Sequence, residues 1–425
     1  MNNNLWYCRR GSLAISLLVV VVLVTLSAAF LVRGANEKQD AGRVVSSSAA
    51  LWAAEAGLQK VLWEYTRNTC GNMVKAMGYT GCNGDKTLAG TLNGYGDFDA
   101  TLDSANTLVQ STGSIPSRTA ANRVQRHVKV IIGKPAIFSY GMFAQGKVTV
   151  SNNALVDAYD SSKMLLADPT KKCPYGAVCT DNKTNIDHIN GDVGSNGTAS
   201  GIVEVDNNAN VWGDVSTGPG GTVTNSGIIH GSIANTNSVA LPVVVVPPTL
   251  TGLASSGTLS TVNNGAKTIN AGDYKYTAMS LGNNSAITIN GNVRLYFSGG
   301  TAIDSGNNTT ISIATGASLV IYTDGKITFA NNTNVNSVAK QPKDLQIYST
   351  YTGASGVNVS NNSATYAAIY APQTDVNVSN NAGLYGAIVG KTTTLNNNGD
   401  VHYDTALASL ANPYEDAIVS QWQEY

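Results

Sequence analysis

The sequence Val357-Asn-Val-Ser-Asn-Asn362 occurs again, residue for residue, as Val376-Asn-Val-Ser-Asn-Asn381. Alternation of apolar and polar residues predicts a half-buried strand, and asparagine suits a left-handed corner after it. Looser copies, each joining a short alternating strand to paired asparagines, occupy residues 148–153, 203–208, 327–332 and 394–398. One such unit is too small to bury its own core, so the repetition predicts stacked coils.

The repeat therefore predicts a parallel β-solenoid over residues 136–412, in a chain that is mainly β. In that arrangement Val357, Val359, Val376 and Val378 point into the core, and the asparagine side chains can bond along a ladder. A β-sandwich is the alternative, because short strands and turns also suit it.

Two segments depart from the repeat. Leu241-Pro-Val-Val-Val-Val-Pro-Pro248 cannot sit in a central ladder. It predicts an extended crossover between an irregular early part and a regular part from about Tyr274. At the other end, Ala417, Ile418 and Trp422 have helical spacing, so residues 413–425 are predicted to form a short helix that covers the last coil.

Composition restricts the function. The 425 residues carry a net charge of −1, and only 12% are charged. The chain has no surplus of basic residues, so its composition does not indicate a nucleic-acid partner. The 43 glycines and abundant asparagines are typical of a secreted all-β protein with many tight turns.

The cysteines agree with a secreted protein. Besides Cys8 there are four, Cys70, Cys82, Cys173 and Cys179. Four cysteines allow three pairings, of which the local one joins Cys70 to Cys82 and Cys173 to Cys179. Disulfides suit a periplasmic or surface protein. A zinc site is the rival interpretation, and the absence of any CxxC spacing argues against it.

The N-terminus carries a candidate membrane segment. Arg9-Arg10-Gly11-Ser12 runs into twenty uncharged residues, 13–32, which span about 30 Å as a helix. An ordinary signal peptide cleaved after Ser27-Ala28-Ala29 is one interpretation, and a plain anchor with cytoplasmic arginines is another. A twin-arginine signal fits less well, because nothing else around the two arginines supports it.

The helical pattern continues beyond the apolar run. Apolar and small residues recur at steps of three or four, which is typical of an amphipathic helix: Val44, Ser48, Leu51, Glu55, Leu58, Leu62 and Tyr65. The same stretch contains Ala53-Ala54-Glu55-Ala56-Gly57-Leu58. Gly34, Gly42 and Gly57 each weaken a helix by about 1 kcal/mol relative to alanine, so they predict bends or close contacts.

Residues 9–67, with the basic-glycine junction, the apolar span and the Ala-Ala-Glu-Ala-Gly-Leu helix, resemble the PilX-type minor pilin family. Residues 270–410, with Tyr366-Ala-Ala-Ile-Tyr-Ala-Pro372, resemble a solenoid domain that such proteins often carry. The resemblance implies a subunit of a type IV pilus or secretion pseudopilus. Before assembly it would cross the inner membrane once, and afterwards it would display the solenoid at the cell surface.

The resemblance also implies processing. Prepilin peptidase would cut between Gly11 and Ser12 and leave a methylated N-terminus, with other pilins as partners of the helix. Ser16 would be the fifth mature residue, where major pilins carry a glutamate, so an uncharged serine suits a tip position better than a shaft position. The alternative is that serine is one of several residues tolerated at this position. The predicted division is leader 1–11, helix 12–67, a small disulfide-containing α/β connecting region 68–135, solenoid 136–412 and capping helix 413–425.

The connecting region is predicted to begin as an irregular loop over residues 68–96. Two or three strands are predicted over residues 97–133. Val128, Val130 and Ile132 alternate with polar residues there, which places His127 on the polar side.

No catalytic constellation stands out. The acids Asp206, Asp273, Asp304 and Asp324 are scattered, and His188, His230 and His402 have no partner at catalytic spacing. Residues 206–210 depart from a calcium loop, because Val211 replaces its glycine and the distal glutamate is missing. The sequence therefore predicts a non-enzymatic protein without metal or cofactor. The alternative is a membrane-anchored surface β-helix that binds or cleaves polysaccharide.

Overall fold

The computed structural model describes residues 7–67, 86–92, 95–103, 108–133, 136–329, 331–410 and 418–424. The chain forms two compact units, one of residues 1–134 with 416–425 and the other of residues 135–415. The predicted fold class is confirmed, with one long apolar N-terminal helix followed by a body of large parallel sheets.

The first unit joins a helix to an antiparallel sheet. Its elements are α1 Tyr7–Arg67, β1 Lys86–Leu92, β2 Gly96–Leu102, β3 Leu108–Ile115, β4 Val124–Gly133 and a C-terminal strand Ile418–Glu424. The sheet order is β1-β2-β3-β4 and then the C-terminal strand. Val128 and Val130 are buried, as their alternation predicts. His127 shares a 2.9 Å hydrogen bond between its Nδ1 and the Thr112 hydroxyl.

Two predictions for this unit are wrong. Residues 86–92 form strand β1 rather than part of an irregular loop. Residues 418–424 form a strand that pairs antiparallel with β4, not a helix on the solenoid. Ile418, Val419 and Trp422 are β-branched or aromatic, and they pair with a sheet edge that would otherwise be open. Ala417 lies outside the described residues.

The second unit is a solenoid. Its early strands are β5 Met142–Ala144, β6 Val148–Val150, β7 Leu155–Tyr159, β8 Val193–Ser195, β9 Val203–Val205, β10 Asn210–Val211, β11 Val215–Ser216, β12 Val223–Asn225, β13 Ile228–Ile229 and β14 Ile233–Ala234. Its later strands are β15 Thr258–Thr261, β16 Ala266–Tyr276, β17 Ala278–Leu281, β18 Ala286–Phe297, β19 Thr301–Asp304, β20 Thr310–Ile313, β21 Ser318–Thr323, β22 Lys326–Phe329, β23 Asn334–Ser337, β24 Leu345–Ser349, β25 Val357–Ser360, β26 Ala364–Ala371, β27 Val376–Ser379, β28 Gly383–Gly390, β29 Thr393–Asn396 and β30 Asp400–Asp404. A short helix, α2 Pro248–Thr251, and two 3₁₀ turns, Pro342–Asp344 and Thr405–Ser409, complete the unit.

Both sheets of the solenoid are parallel, one of sixteen strands and one of ten. The ten-stranded sheet has the order β12-β9-β6-β29-β27-β25-β22-β19-β17-β15. The first coil of the chain therefore lies against the last coil, since β6 pairs with β29 and β7 pairs with β30.

The proline-rich segment is the crossover that this order requires. The early coils end at β14 at one end of the stack, and the regular coils restart with β15 at the other. The regular part begins at Thr258, upstream of the predicted Tyr274, because β15 already pairs in parallel with β17.

We call residues 239–253 the strap. Its apolar side chains pack against a row of tyrosines on the outside of the sixteen-stranded sheet, which includes Tyr296, Tyr322, Tyr348 and Tyr370. The Tyr370 hydroxyl donates to the carbonyl oxygen of Pro242 at 2.7 Å. The strap therefore buries an outer face that water would otherwise contact.

The repeat positions behave as predicted. Val357, Val359, Val376 and Val378 have no exposed surface. The paired asparagines at the corners take left-handed backbone angles, with φ of 57° and 60° at Asn361 and Asn362. Their side chains form the predicted ladder bonds, in which Nδ2 of one asparagine donates to Oδ1 of the asparagine on the neighbouring coil at 2.9 to 3.3 Å. One ladder runs from Asn332 through Asn308 and Asn284 to Asn264. The other runs from Asn397 through Asn380 and Asn361 to Asn331.

Candidate functional site

The residues of the predicted processing site lie on one helix. Arg9, Arg10, Gly11, Ser12 and Ser16 all fall within α1, which begins at Tyr7. The backbone places them within roughly two turns of the helix. Cleavage between Gly11 and Ser12 remains a prediction.

The N-terminal half of α1 is apolar and exposed. Among the described residues, one helix is long and apolar enough to cross a membrane, with a mean hydropathy of 2.5 over an 18-residue window that is not buried against the protein. Leu17, Phe30 and Leu31 are 65%, 69% and 76% exposed. Burial of one such side chain is worth about 1.5 to 3 kcal/mol, so this surface favours lipid or another protein over water. Charge returns with the Arg33–Glu37 ion pair at 2.9 Å.

The C-terminal half of α1 packs through small residues. Ala50, Ala53 and Ala54 are fully buried, and Gly57 comes so close to the sheet that a Cβ on it would lie 2.5 Å from the Ser111 hydroxyl oxygen. Gly57 thus marks a close contact, as expected. A Cβ on Gly34 or Gly42 would meet nothing within 4 Å.

The predicted stripe is partly wrong. Val44 is 65% exposed, and Ser48 is exposed as well, whereas Leu58 and Leu62 are buried. The small residues of the Ala-Ala-Glu-Ala-Gly motif permit the close approach, so the contact face is rotated toward Ala53 and Ala54. The side chain of Tyr65 lies outside the described part of the structure.

One predicted disulfide is present. Cys173 and Cys179 are bonded, with their Cα atoms 5.7 Å apart. They lie in residues 160–190, which we call the flap, between β7 and β8. The side-chain amide of Asn185 donates to the carbonyl oxygens of Cys173 and Asp160, at 2.8 and 2.9 Å, and holds the flap together. Cys70 and Cys82 lie outside the described residues.

The flap covers a buried cluster that the sequence did not reveal. His402 Nδ1 lies 2.6 Å from Asp157 Oδ1, and the Tyr175 hydroxyl donates to Asp157 Oδ2 at 2.6 Å. The Tyr175 ring lies 3.9 Å from the His402 ring, centroid to centroid. Only 6% of the His402 side chain and 1% of the Asp157 side chain are exposed. The sequence spacing predicted no partner for His402, and this prediction is wrong.

Stacking of coils creates this cluster. Tyr366 pairs with Tyr385, Tyr385 with His402, and His402 with Asp157 in adjacent strands. The first three are separated by the same 19 and 17 residues as the repeat, so they occupy one column. That spacing was a usable signal. Asp157 was not predictable, because it joins the column only through the contact of the first coil with the last.

Burial dominates the electrostatics of the cluster. Desolvation, with the hydrogen bond to Asp157 second, raises the pKa of Tyr175. Desolvation likewise raises the pKa of Asp400 against the opposing effect of His402. A carboxylate, an imidazole and a phenol at these distances can exchange a proton. The flap covers His402 and Asp157, so the arrangement joins the flap to the first and last coils.

The other singled-out residues do not assemble into a site. Asp273 pairs with Arg294 at 2.5 Å, and Asp324 accepts from the Tyr296 hydroxyl at 2.5 Å. Residues 207 and 208 form a corner with positive φ, as predicted for this asparagine pair. His188 and His230 flank the ring of Trp212, at 4.5 and 3.4 Å between centroids. In the described part of the chain no group of three His, Cys, Asp or Glu side chains could hold a metal ion.

Part of the chain is similar to a known domain family. A family model described as a domain of unknown function, DUF7305, matches residues 225–410. This covers less than half of the chain but includes the strap and the regular coils. No curated protein matches. The crystal structure of the competence-associated pilin ComZ from Thermus thermophilus is similar at 13% identity, covering 89% of this chain and 97% of that chain. Its TM-score of 0.20 is too low to support an assignment of fold or function.

Proposed function

We propose that the chain is a non-enzymatic minor pilin or pseudopilin-like subunit of a type IV pilus or secretion filament. The observation that carries the proposal is the division of α1. Its N-terminal half is apolar and exposed, and its C-terminal half packs through alanines and a glycine against an antiparallel sheet. Such a helix can lie in a membrane before assembly and pack against other pilin helices afterwards.

The processing steps belong to the same proposal. Prepilin peptidase cuts after Gly11, and Ser12 becomes the methylated first residue, as the PilX-type resemblance implies. The subunit then spans the inner membrane once until it enters the filament. In the filament it carries the solenoid to the cell surface.

We also propose a place at the filament tip. Ser16 is the fifth mature residue and carries no charge, so it needs no partner amine from a further subunit. An unpaired glutamate there would be costly in an apolar environment. The serine hydroxyl can bond back to its own helix.

Mass spectrometry of the mature N-terminus tests the processing. A methylated chain that begins at Ser12 supports the proposal, and a chain that begins at Phe30 contradicts it. The variant Gly11→Val should accumulate at precursor mass. Gly34→Val is the matched control, because it places the same side chain on α1 where a Cβ meets nothing within 4 Å. It should mature normally.

Immunogold labelling of the solenoid tests the position. Label at one filament end supports the tip, and label along the whole filament at shaft stoichiometry contradicts it. Recovery in membranes but never in sheared filaments contradicts the assembly role itself.

A further inference from the structure

A cleft of about 660 Å³ lies between the flap and the corners of neighbouring coils. Its walls come from the flap on one side, and from the corner between β20 and β21 and the corner between β23 and β24 on the other. The volume is in the range of ligand sites in proteins. The rings of the buried column do not line it.

Four lysines line this cleft, namely Lys171, Lys172, Lys340 and Lys343, against one acid, Asp344. The concentration is unusual in a chain whose net charge is −1. Lys171 is bonded to Asp168 at 3.0 Å, and Lys172 donates to the carbonyl oxygen of Ser162 at 2.8 Å. Among the described residues no carboxylate forms an ion pair with Lys340 or Lys343. Asp344 lies beside Lys343 on the same wall and interacts with it electrostatically, so the solenoid wall, with two lysines against one aspartate, keeps a net positive charge for a ligand.

Lys340 also has an unusual backbone. Its φ is 51°, and nearly all the other non-glycine residues with positive φ in the described chain are asparagines at coil corners. A long L side chain is disfavoured in this conformation. The corner nevertheless carries a lysine where asparagine would be easier, and its ammonium lies 5.5 Å from the centre of the Tyr366 ring.

The remaining lining is neutral. Asn292, Thr315, Ser318 and Gln341 bring amides and hydroxyls to the cleft, and Val338 is 62% exposed beside them. The Ser318 hydroxyl donates to Asn292 Oδ1 at 3.0 Å. Such groups match the hydroxyls of a sugar, and the ammonium groups match carboxylates.

The strands around the cleft argue against a peptide that would add as a strand. β21 is paired on both sides, by β18 and β24, and β23 is paired by β20 and β26. No free edge is therefore available there for β-strand addition.

We propose that this cleft, with Lys340 and Lys343 on its solenoid wall, binds a carboxylate-bearing polysaccharide. The inference does not depend on the pilin proposal. Because the contacts are ionic and solvent-exposed, binding weakens as salt rises.

The test measures binding of a fluorescent oligogalacturonate to the full-length protein in non-ionic detergent, without calcium. The variant Lys340→Asn/Lys343→Gln should bind at least tenfold more weakly. Asparagine suits the positive φ at position 340, so the melting curve should be retained. Lys267→Gln/Lys326→Gln is the matched control, since it removes the same charge from exposed strand positions elsewhere and should bind within twofold of the native chain. On the flap wall, Lys171→Gln should also weaken binding.

Two further ligands decide the class. Neutral dextran should not bind, and poly-glutamate should bind at least tenfold more weakly than oligogalacturonate. Equal affinity for poly-glutamate would overturn the saccharide assignment in favour of an acidic peptide. Absence of oligogalacturonate binding, or equal loss in the control variant, would overturn the site.

Discussion

Asn152 and Asn397 are 245 residues apart in sequence, yet Nδ2 of Asn152 donates to Oδ1 of Asn397 at 3.1 Å. Asn207 in turn donates to Asn152 at 3.1 Å. The ladder that begins at Asn331 therefore runs without a break from the regular coils into the early coils. At this junction the stack is held by packing and hydrogen bonds, because chain continuity does not link these two coils directly.

The core register predicts opposite effects for two neighbouring residues. Val378→Asp buries a charge where the valine has no exposed surface, so it should unfold the coils around it, at a cost of several kcal/mol. Asn377→Asp should be mild, because residue 377 is only half buried. Urea unfolding followed by circular dichroism compares the two. Similar small effects would contradict the register.

Because α1 packs closely against the sheet at Gly57 but not at Gly42, we expect Gly→Ala substitutions at these two positions of α1 to change the stability in opposite directions. Gly42→Ala should stabilise the helix by up to about 1 kcal/mol, since alanine is the better helix former. Gly57→Ala gains the same propensity but places a Cβ 2.5 Å from Ser111 Oγ and 2.7 Å from the Phe98 ring, so it should lower the melting temperature. Thermal melts of both variants make the comparison. A Gly57→Ala protein that melts above the native chain would show that the contact is not as close as described.

The corners predict which property of asparagine matters. Asn397→Ala places an alanine at φ 54°, in the left-handed region that alanine tolerates less well than asparagine, which should cost about 1 to 2 kcal/mol. The variant also loses the ladder bonds to Asn152 and Asn380. Asn397→Gly removes the same bonds but tolerates the angle. The glycine variant should therefore be the more stable of the two in urea. If alanine and glycine are equally destabilising, the ladder dominates over the backbone.

We expect Asp168 to make the folded protein less stable in acid. The Thr170 hydroxyl and the Lys171 ammonium lower the pKa of Asp168 to about 2, below its usual value. A lowered pKa means that the folded state binds the proton less tightly, so this carboxylate contributes stability above about pH 4 that is lost as the pH falls toward 2.

Melting temperatures at pH 5 and pH 2.5 check this. The native chain should lose more stability over that interval than Asp168→Asn. Asp304→Asn, an exposed acid on β19, is the control and should follow the native chain. If Asp168→Asn loses as much stability between pH 5 and pH 2.5 as the native chain, this carboxylate is not the cause of the loss.

Local features were predictable where neighbouring residues determine them. The valines of the repeat and the corner asparagines followed from alternation and from the tolerance of asparagine for positive φ. The order of the coils did not follow, because β6 carries the same Val-x-Val pattern whether it lies against β9 or β29. Parallel pairing between similar units specifies the inner face but not the neighbour.

The same reason limits what could be predicted of the sites. Tyr366, Tyr385 and His402 share a column because the repeat spacing places them there. Asp157 and the flap reach that column only through the coil order. The lysine cleft combines the flap with distant corners, so no stretch of sequence contains it. The C-terminal strand was missed because three residues at helical spacing outweighed its β-branched content in the prediction.

The pairing of β4 with the C-terminal strand has a genetic consequence. Residues 135–415 lie in sequence between β4 and the C-terminal strand that pairs with β4. The whole solenoid is therefore an insertion between two hydrogen-bonded strands of one antiparallel sheet. Gene segments that add or delete coils between residues 258 and 404 would change the length of the stack while both splice points stay where they are. A lineage could thus exchange this segment and keep the helix and the sheet that precede and follow it.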